Sequence, residues 1–510
     1  MEAYTSKIID GPYRFLLSIV LFIQMSNCNI IGQMFPFFFM DPIIECSDEY
    51  KNPDTKICDI DSLCAAHIPF IINTDDTLFN WSSTFNLYCP RSSFKLVLTT
   101  LYFIASAIFP LLISSLPDRF GRMKVLYYLM LLMLFAFVLL LFNVKFFLML
   151  SMFLIGGLIM IYNVEIQIIT EYYDANVRGF LTGIFCASIP IFGSLSIVMF
   201  YFFHNVKCFW WLLIITQVIC IAIIKMYFIE SPVWLMSINR YDDSLKEIEK
   251  VAKINNKIKE YEEFVKIAPS FNSFKSKNEE SKVYSFSDVL HFPSIRKIVL
   301  SISPYWIAVL LFDFTVFLNL EKSNKNIYLQ GIVVFVSCAI AALIAGYLAD
   351  LLGRKRMLIL SVFFAVVPYI LSPYCNSHGY VAMETFFLFV ACISIETAFT
   401  VIIIYVGEIF PTTIRSTAGG LLYLSSRLGA IASPYAVFFF EYPQYFVSIL
   451  LLMSLYSIWH LPETKGRNLQ TDVEENLIDN KDESALQNGM SDFEMNNINK
   501  SKIEMNGLID

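Results

Sequence analysis

Charged side chains are scarce in this chain. Only 16% of its 510 residues are Asp, Glu, Lys or Arg, whereas a typical soluble domain has about 25%. So few charges cannot cover the surface of a soluble protein of this length, which excludes a soluble enzyme. The apolar content excludes disorder over most of the chain. With 37 basic and 44 acidic side chains, the charge balance gives no reason to expect nucleic acid as a partner.

Sequence patterns of catalysis and of metal binding are also missing. The chain has no CxxC pair, no histidine cluster, no phosphate-binding loop, and no GxSxG or HExxH pattern. We therefore expect no enzyme activity, no metal and no cofactor. ATP-driven transport by this chain alone is not expected either.

Apolar sequence is abundant instead. Hydrophobic residues make up 56% of the chain, Phe alone contributes 48, and the mean hydropathy is +0.59. A helix that crosses a bilayer needs about 20 apolar residues. The sequence therefore predicts an all-α membrane protein with twelve transmembrane helices, at 15–39, 94–115, 125–143, 146–168, 180–203, 209–228, 298–319, 328–349, 357–375, 380–404, 417–440 and 445–460.

The loops between these spans indicate an orientation. Lys and Arg concentrate in alternate loops, which places both termini in the cytoplasm of a multi-pass plasma-membrane protein. The loop 41–93 then lies outside the cell. Asn80-Trp81-Ser82 in this loop is a glycosylation sequon, which agrees with that side. An even number of cysteines in such a loop is typical of two disulfides, whose pairing stays open: Cys46, Cys58, Cys64 and Cys89.

The chain contains an internal repeat. A D-x-x-G-R pattern starts at Asp118 and again at Asp350, an offset of 232 (350 − 118). Two glutamates also recur: Glu171 and Glu408 lie at an offset of 237 (408 − 171), and Glu230 and Glu463 at an offset of 233 (463 − 230). These features predict two six-helix halves, typical of alternating-access transporters with substrate at the interface. The expected domains are 1–228, a cytoplasmic loop 229–297, 298–466 and a disordered cytoplasmic tail 467–510.

The repeated motifs predict a cytoplasmic latch. A glycine-containing turn lets two helices meet closely, and Asp118 is placed to cap the next helix or to pair with an arginine. The Glu171/Arg178 and Glu408/Arg415 pairs are placed to bridge the two halves, and such pairs can break on switching. The predicted gating residues are Asp118, Arg119, Gly121, Arg122, Glu165, Glu171, Arg178, Glu230, Asp350, Gly353, Arg354, Glu408, Arg415 and Glu463.

These motifs resemble those of the organic cation/anion/carnitine transporter family, solute carrier family 22 of the major facilitator superfamily. The resemblance covers about residues 10–470 and is carried by the stretches 85–89, 117–124, 176–179, 230–235, 408–415 and 461–467. The sequence departs from the family at Ser114, Val233 and Leu351, and its outer loop has four cysteines where the family usually has six. The sugar transporters share two of the motifs but usually have paired Gln in the seventh span, which here reads Ile302-Ser303-Pro304-Tyr305-Trp306.

Four ionisable residues lie within the predicted spans. Because such groups are costly in lipid, Glu165, Asp313, Glu396 and Arg427 are functional candidates. Glu396 lies twelve residues before the inner end of its span, and Arg427 lies twelve residues after the inner end of the next. Twelve helical residues rise about 18 Å, so we expect both charges at a similar depth.

Arg427 carries the prediction of the substrate. In the resembling family the cation carriers usually have Asp at this point, and the anion and carnitine carriers have Arg. The resemblance therefore implies a substrate carboxylate held by two parallel hydrogen bonds. A structural ion pair with Glu396 is the alternative. Asp313 or Glu396 could hold a cationic head, a coupling proton or a sodium ion. The candidate substrate-binding residues are Arg427, Glu396, Asp313, Tyr305, Trp306, Phe312, Tyr423, Gln24, Asn27 and Gln33.

The predicted function is secondary active or facilitative transport of small organic ions by alternating access. Carboxylate-bearing ions, either carnitine-like zwitterions or organic anions, are the expected substrates. An organic-cation carrier that uses Asp313 or Glu396 is one alternative, and a non-transporting membrane receptor is another.

Overall fold

The computed structural model describes residues 7–45, 64, 71–72, 77–88, 93–113, 116–173, 175–238, 240–275, 291–320, 327–410 and 415–465. These residues are almost entirely helical. The helices are α1 (Pro12–Gln33), α2 (Phe35–Phe39), α3 (Trp81–Phe85), α4 (Ser93–Ile113), α5 (Leu116–Phe120), α6 (Arg122–Leu139), α7 (Lys145–Leu158), α8 (Ile161–Tyr172), α9 (Ala175–Phe203), α10 (Val206–Tyr227), α11 (Pro232–Ser237), α12 (Tyr241–Ile254), α13 (Ile258–Lys275), α14 (Pro293–Asn319), α15 (Ile327–Leu352), α16 (Arg354–Ser377), α17 (Val381–Ile409), α18 (Arg415–Phe439) and α19 (Pro443–Trp459).

Ten stretches of the described helices are long and apolar enough to cross a membrane, with α7 and α8 together forming the fourth. Helix α19 is apolar but shorter. Helix α18 completes the set as the eleventh span, and it carries more polar residues, among them Ser425, Ser426 and Arg427. The predicted twelve-helix fold is confirmed.

Two of the predicted spans are interrupted. The first, predicted as one helix over 15–39, consists of α1 and α2 with Met34 between them. Pro36 lies in the first turn of α2. A proline has no backbone N–H to donate to the carbonyl four residues earlier, and its ring clashes with that carbonyl, so α1 does not continue through it. The fourth span breaks at residues 159–160, shortly after Gly156 and Gly157.

The two six-helix halves pack against each other through two pairs of spans. Helix α9 contacts α15, and α4 contacts α18. Within the C-terminal half, α14 packs on α18 and α16 on α17. One continuous buried apolar cluster extends through both halves. Large apolar side chains also cover the outside, for example Phe202, which is 71% exposed. In a membrane such side chains face lipid rather than water.

The first part of the loop 229–297 packs on the start of α1. Helices α11, α12 and α13 enclose a small apolar core that includes Ile8 from the N-terminal segment. The Asn255 side chain accepts a hydrogen bond from the Tyr13 backbone N–H at 3.0 Å. It donates to the carbonyls of Ile8 and Ile9 at 2.9 and 3.0 Å. This part of the predicted cytoplasmic loop is therefore folded onto the N-terminal half.

The outer loop contains a short antiparallel pair of strands, β1 (Ile44–Glu45) and β2 (Ile71–Ile72). Cys64 is disulfide-bonded. Three of the predicted disulfide cysteines, Cys46, Cys58 and Cys89, lie outside the described residues, so the pairing stays a prediction.

Asn80, the predicted glycosylation site, is the N-terminal cap of α3 in this structure. It is only 2% exposed, and its side-chain oxygen accepts from the Ser83 backbone N–H at 3.1 Å. The amide nitrogen that a glycan would occupy donates to the carbonyls of Phe37 and Met40 at 2.9 and 2.8 Å. In this structure the sequon is a buried capping motif, because the same residue types that form a sequon also cap helices.

Candidate functional site

The N-terminal latch is formed by Gly121, Arg122, Glu171 and Glu230. Arg122 Nε donates to Glu171 Oε1 at 2.9 Å. The Glu230 carboxylate accepts from the backbone N–H groups of Met123 and Lys124, at 3.0 and 3.2 Å. These are the first free donors of α6, where a negative charge is favourable. Gly121 has φ 104°, and a Cβ there would lie 2.7 Å from the Glu230 carboxyl carbon.

The C-terminal latch is formed by Gly353, Arg354, Glu408 and Glu463. Arg354 donates to both carboxylate oxygens of Glu408, at 2.8–3.2 Å, and lies 2.7 Å from Asp350. The Glu463 carboxylate accepts from the backbone N–H groups of Arg354 and Lys355 at 2.9 and 3.1 Å. The two latches therefore repeat the same geometry in the two halves.

Two tyrosines extend the repeat. Tyr172 donates to the carbonyl of Ile229 at 3.5 Å, and Tyr405 donates to the carbonyl of Pro462 at 2.7 Å. The two tyrosines lie 233 residues apart in the sequence (405 − 172), and the two residues that accept from them lie at the same offset (462 − 229). Each tyrosine ties the fourth span of its half to the end of the sixth. The sequence analysis did not single out these tyrosines, although their offset would have identified them.

The described partners of Glu171 and Glu408 are arginines that the sequence motifs had not paired with them. Glu171 and Glu408 pair with the arginines that follow the latch glycines, so each ion pair lies within one half and does not bridge the halves. The side chains of Asp118, Arg178 and Arg415 lie outside the described part of the chain. Glu230 and Glu463 accept the free N–H groups at the helix starts. Arg119 is exposed on α5, as is Asp350 near the end of α15.

Arg427 lies in the interior of α18, far from both latches in sequence, and is 6% exposed. Its guanidinium stacks on the ring of Tyr423, 4.1 Å from the ring centroid, and donates to the Tyr423 hydroxyl. Its Nε has no hydrogen-bond partner, and among the described residues no carboxylate lies within 4.0 Å of it. The predicted ion pair with Glu396 is thus not formed in this conformation.

The two acidic candidates lie near this arginine on neighbouring spans. Asp313 of α14 interacts electrostatically with Arg427 and with Glu396 of α17. Asp313 is 9% exposed. The structure therefore brings together three of the four ionisable residues that the sequence placed within the spans.

Two tyrosines from the other half complete this cluster. Tyr102 of α4 and Tyr162 of α8 both interact electrostatically with Arg427. Tyr162 also reaches Cys186 of α9, with its hydroxyl 3.8 Å from Sγ. The sequence analysis did not predict either residue, because no pattern marks which of 27 tyrosines face the interface.

The aromatic candidates of α14 divide into two groups. Trp306 packs edge-on against Tyr423, with ring centroids 6.5 Å apart, and its Nε1 has no hydrogen-bond partner among the described residues. Tyr305 donates to the carbonyl of Leu358 at 2.9 Å, and Phe312 packs on Tyr369 at 4.4 Å. Trp306 thus belongs to the Arg427 cluster, whereas Tyr305 and Phe312 contact α16.

The polar candidates of α1 also differ from one another. Asn27, predicted to face the central cavity, instead donates to Gln217 and Thr216 of α10 at 3.1 and 3.2 Å. Gln24 is fully buried and donates to Cys28 Sγ at 3.3 Å, and its carbonyl oxygen has no partner among the described residues. Gln33 is the last residue of α1, and its side-chain oxygen is buried.

A separate cavity of about 450 Å³ lies at the end of the C-terminal half opposite its latch. Its lining includes Gln330, Tyr369, Glu384 and Gln444, and does not include Arg427. It is therefore a different space from the charged cluster.

Comparison with known proteins identifies the architecture. A family model described as "Sugar (and other) transporter" matches residues 48–474. The chain belongs to this transporter family. Solved structures of the Escherichia coli xylose transporter XylE, a major facilitator superfamily protein, have the same fold. The inward-open form matches with a TM-score of 0.61 at 16% identity, over 89% of this chain and 98% of that one. The partially occluded form matches at 0.59 and 14% identity, over 92% and 99%.

Curated relatives lie in solute carrier family 22. The chain is 26% identical to human "Organic cation/carnitine transporter 2" over 409 residues, 77% of this transporter and 71% of the relative. It is also 26% identical to "Solute carrier family 22 member 6" of Pseudopleuronectes americanus over 412 residues, 77% and 71%. A "Steroid transmembrane transporter" of Microcebus murinus matches at 26% over 452 residues, 85% and 78%. The resemblance drawn from the motifs is confirmed, and all of these relatives are named as transporters and not as enzymes.

Proposed function

We propose that this transporter carries small organic ions that bear a carboxylate, by alternating access, and that Arg427 binds the carboxylate. The observation that carries the proposal is the burial of Arg427 and its unused hydrogen-bond donors. The guanidinium is buried at the interface of the halves, stacked on Tyr423, with donor capacity that no described carboxylate uses. A buried guanidinium whose Nε–H has no acceptor is costly, so a ligand that supplies two carboxylate oxygens is favoured there.

The acidic pair supports a zwitterion in particular. Asp313 and Glu396 lie near the same site on α14 and α17, and Trp306 and Tyr423 offer aromatic faces beside Arg427. A quaternary ammonium is held well by carboxylates and aromatic faces. A ligand with a carboxylate at one end and an ammonium at the other matches this arrangement. The name of one relative, human "Organic cation/carnitine transporter 2", agrees with it.

The latches are proposed to govern access to this site. Each latch joins the second, third, fourth and sixth spans of its half at one end of the bundle. Because each ion pair joins spans of the same half, its rearrangement would change how those spans meet at this end during switching. We assign this end, both termini and the loop 229–297 to the cytoplasm of a plasma-membrane protein, on the distribution of basic residues. Domain limits follow the proposed halves, 1–228 and 298–466.

The test is uptake in cells that express the chain at the surface. The probes are radiolabelled carnitine, benzoate and tetraethylammonium, with wild type, Arg427→Ala and Arg296→Ala compared. Arg296 is an exposed arginine at the start of α14, which makes its variant a matched control. Uptake of carnitine or benzoate that Arg427→Ala abolishes and Arg296→Ala retains supports the proposal. Uptake of tetraethylammonium alone, unchanged in Arg427→Ala, would overturn it.

An organic-cation carrier is the second candidate. Its supporting observation is the excess of acidic over basic groups in the cluster, where Asp313 and Glu396 accompany a single arginine. In that case Asp313→Asn abolishes tetraethylammonium uptake, and benzoate is not transported by the wild type.

A further inference from the structure

Glu165 of α8 is the fourth ionisable residue within the spans, and neither the latches nor the Arg427 cluster includes it. It is 0% exposed. Both of its carboxyl oxygens are buried without a hydrogen-bond partner among the described residues. It is one of the predicted gating residues, but it lies about 1.7 turns before Glu171, a rise of roughly 9 Å along the helix.

Among the described residues, no cation pairs with Glu165. Cys28 of α1 and Cys220 of α10 are the titratable groups that interact with it electrostatically, and both are buried thiols. On its own helix, Tyr162 lies one turn away and reaches Cys186 of α9. Helix α6, which also packs on α8, contributes Arg122, whose guanidinium pairs with Glu171 instead.

A carboxyl group in such a place cannot stay ionised. An unpaired carboxylate in an apolar interior is strongly destabilised relative to its protonated form. In this conformation Glu165 therefore exists as the neutral acid, with its proton bound. The same residue in a conformation that opens to water would release that proton, because the carboxylate would then be hydrated.

The position of Glu165 connects this proton to the substrate site. Tyr162, one turn from Glu165, interacts electrostatically with both Arg427 and Glu396. Glu171 lies in the other direction, in the N-terminal latch. Helix α8 thus places Glu165 between the charged cluster and the latch that is proposed to open on switching.

We propose that Glu165 is the proton-binding site of this transporter and that one proton moves with each substrate. The step is a protonation, in which the carboxylate takes up one proton from the side to which it is exposed and releases it on the other side. No redox change is involved. The coupling rests on the proposed transport function, but the proton site itself can be tested without any substrate.

The first experiment is infrared difference spectroscopy of the purified full-length protein in lipid at neutral pH. The neutral carboxylic acid has a carbonyl band separate from that of a carboxylate. The wild type should show a band that Glu165→Gln removes and Glu165→Asp retains. Glu441→Gln, which alters an exposed carboxyl at a span end, should retain it. A wild-type spectrum identical to that of Glu165→Gln in this region would overturn the proton site.

The second experiment measures the uptake and exchange of carnitine by proteoliposomes with the membrane potential clamped at zero. An inward proton gradient of one pH unit should let the wild type accumulate carnitine inside the proteoliposomes up to about tenfold. Glu165→Gln should lose this accumulation and retain carnitine exchange at equal pH within a factor of about two. Exchange without any response to the pH gradient in the wild type would overturn the coupling and leave the transport function standing. Absence of exchange in the wild type would instead count against the transport of carnitine, and the infrared band alone then decides the proton site.

Discussion

The two halves of the molecule are alike at one end and different in the middle. At the latches, Arg122 and Arg354 pair with glutamates of the fourth and tenth spans, and Glu230 and Glu463 accept the free N–H groups of the next helix. Among the described residues of the membrane interior, the N-terminal half has one carboxyl without a hydrogen-bond partner, Glu165, whereas the C-terminal half has Asp313, Glu396 and Arg427. The latch geometry is thus duplicated, and most of the ionisable candidate binding residues lie in one half.

A physical reason separates the two regions. The latch has the same helix geometry in both halves, so the same residue types form it in each half. A substrate without internal symmetry needs different groups around it, which two identical half-sites cannot supply. The predictions that follow test either the duplicated or the divergent part, from the largest expected effect to the smallest.

Gly429 tests the divergent packing of the two halves. A Cβ on Gly429 of α18 would lie 2.9 Å from the backbone nitrogen of Leu311 in α14, and the backbone cannot yield. At an offset of 236 (429 − 193), a Cβ on Gly193 would instead meet the side chain of Phe335. We expect Gly429→Ala to destabilise the fold by about 3 kcal/mol or more and Gly193→Ala by less.

The measurement is thermal unfolding in detergent, followed by tryptophan fluorescence. Gly407→Ala serves as the control, since its added Cβ meets no atom within 4 Å, and its midpoint should stay at the wild-type value. A Gly429→Ala midpoint equal to that of Gly407→Ala would contradict the close approach of the two helices.

The ion pairs test whether the two latches are equally strong. Arg354 donates three hydrogen bonds to Glu408, whereas Arg122 donates one to Glu171. We expect Arg354→Ala to cost about 2–3 kcal/mol and Arg122→Ala about 1–2 kcal/mol, since both pairs are only partly exposed. Chemical denaturation of the two purified variants checks this order. Arg356→Ala, which removes an exposed arginine of α16, should have almost no effect, and an inverted order would break the comparison.

The latch glycines test the symmetry most directly. Gly121 and Gly353 have φ of 104° and 95°, and an added Cβ would crowd Glu230 and Glu463 respectively. Either alanine variant should lose roughly 1–2 kcal/mol, because the strained turn and the displaced carboxylate act together. Equal midpoint shifts in thermal unfolding are expected. A shift confined to one half would show that the latches are not equivalent.

Asn255 tests the attachment of the loop 229–297 to the start of α1. Its side chain makes three hydrogen bonds to the backbone at the start of α1. Asn255→Ala should weaken this attachment by about 1–2 kcal/mol, because buried backbone groups lose their partners. Hydrogen exchange of residues 8–13 should then accelerate while the rest of α1 is unaffected. Lys259→Ala, at an exposed position in the first turn of α13, is the control.

The sequence predicted the parts of the molecule that depend on length and composition. Twelve apolar stretches became twelve spans, and the latch glutamates and glycines were identified from their offsets. The pairing of Glu171 with Arg122 and of Glu408 with Arg354 was not predicted. A pairing between spans depends on how each helix is rotated about its axis, which a sequence offset does not show. The break at Met34 could have been predicted, since Pro36 follows it closely.

The site itself was predicted only in part. Arg427, Asp313 and Glu396 were identified because charge is costly in lipid, and the structure brings them together. Tyr102 and Tyr162 were missed, and Asn27 turned out to contact α10. A polar residue within a span is recognisable in the sequence, whereas the direction in which it points is not.

The most direct test of Arg427 is binding of two ligands that differ only at the carboxylate. Carnitine and its primary amide have nearly the same shape, so the ratio of their Kd values reports recognition of the carboxylate. The account predicts that the purified wild type binds carnitine at least about 30-fold more tightly, and that Arg427→Ala binds the two ligands equally. A preference for carnitine that survives in Arg427→Ala, or no preference in the wild type, would contradict it.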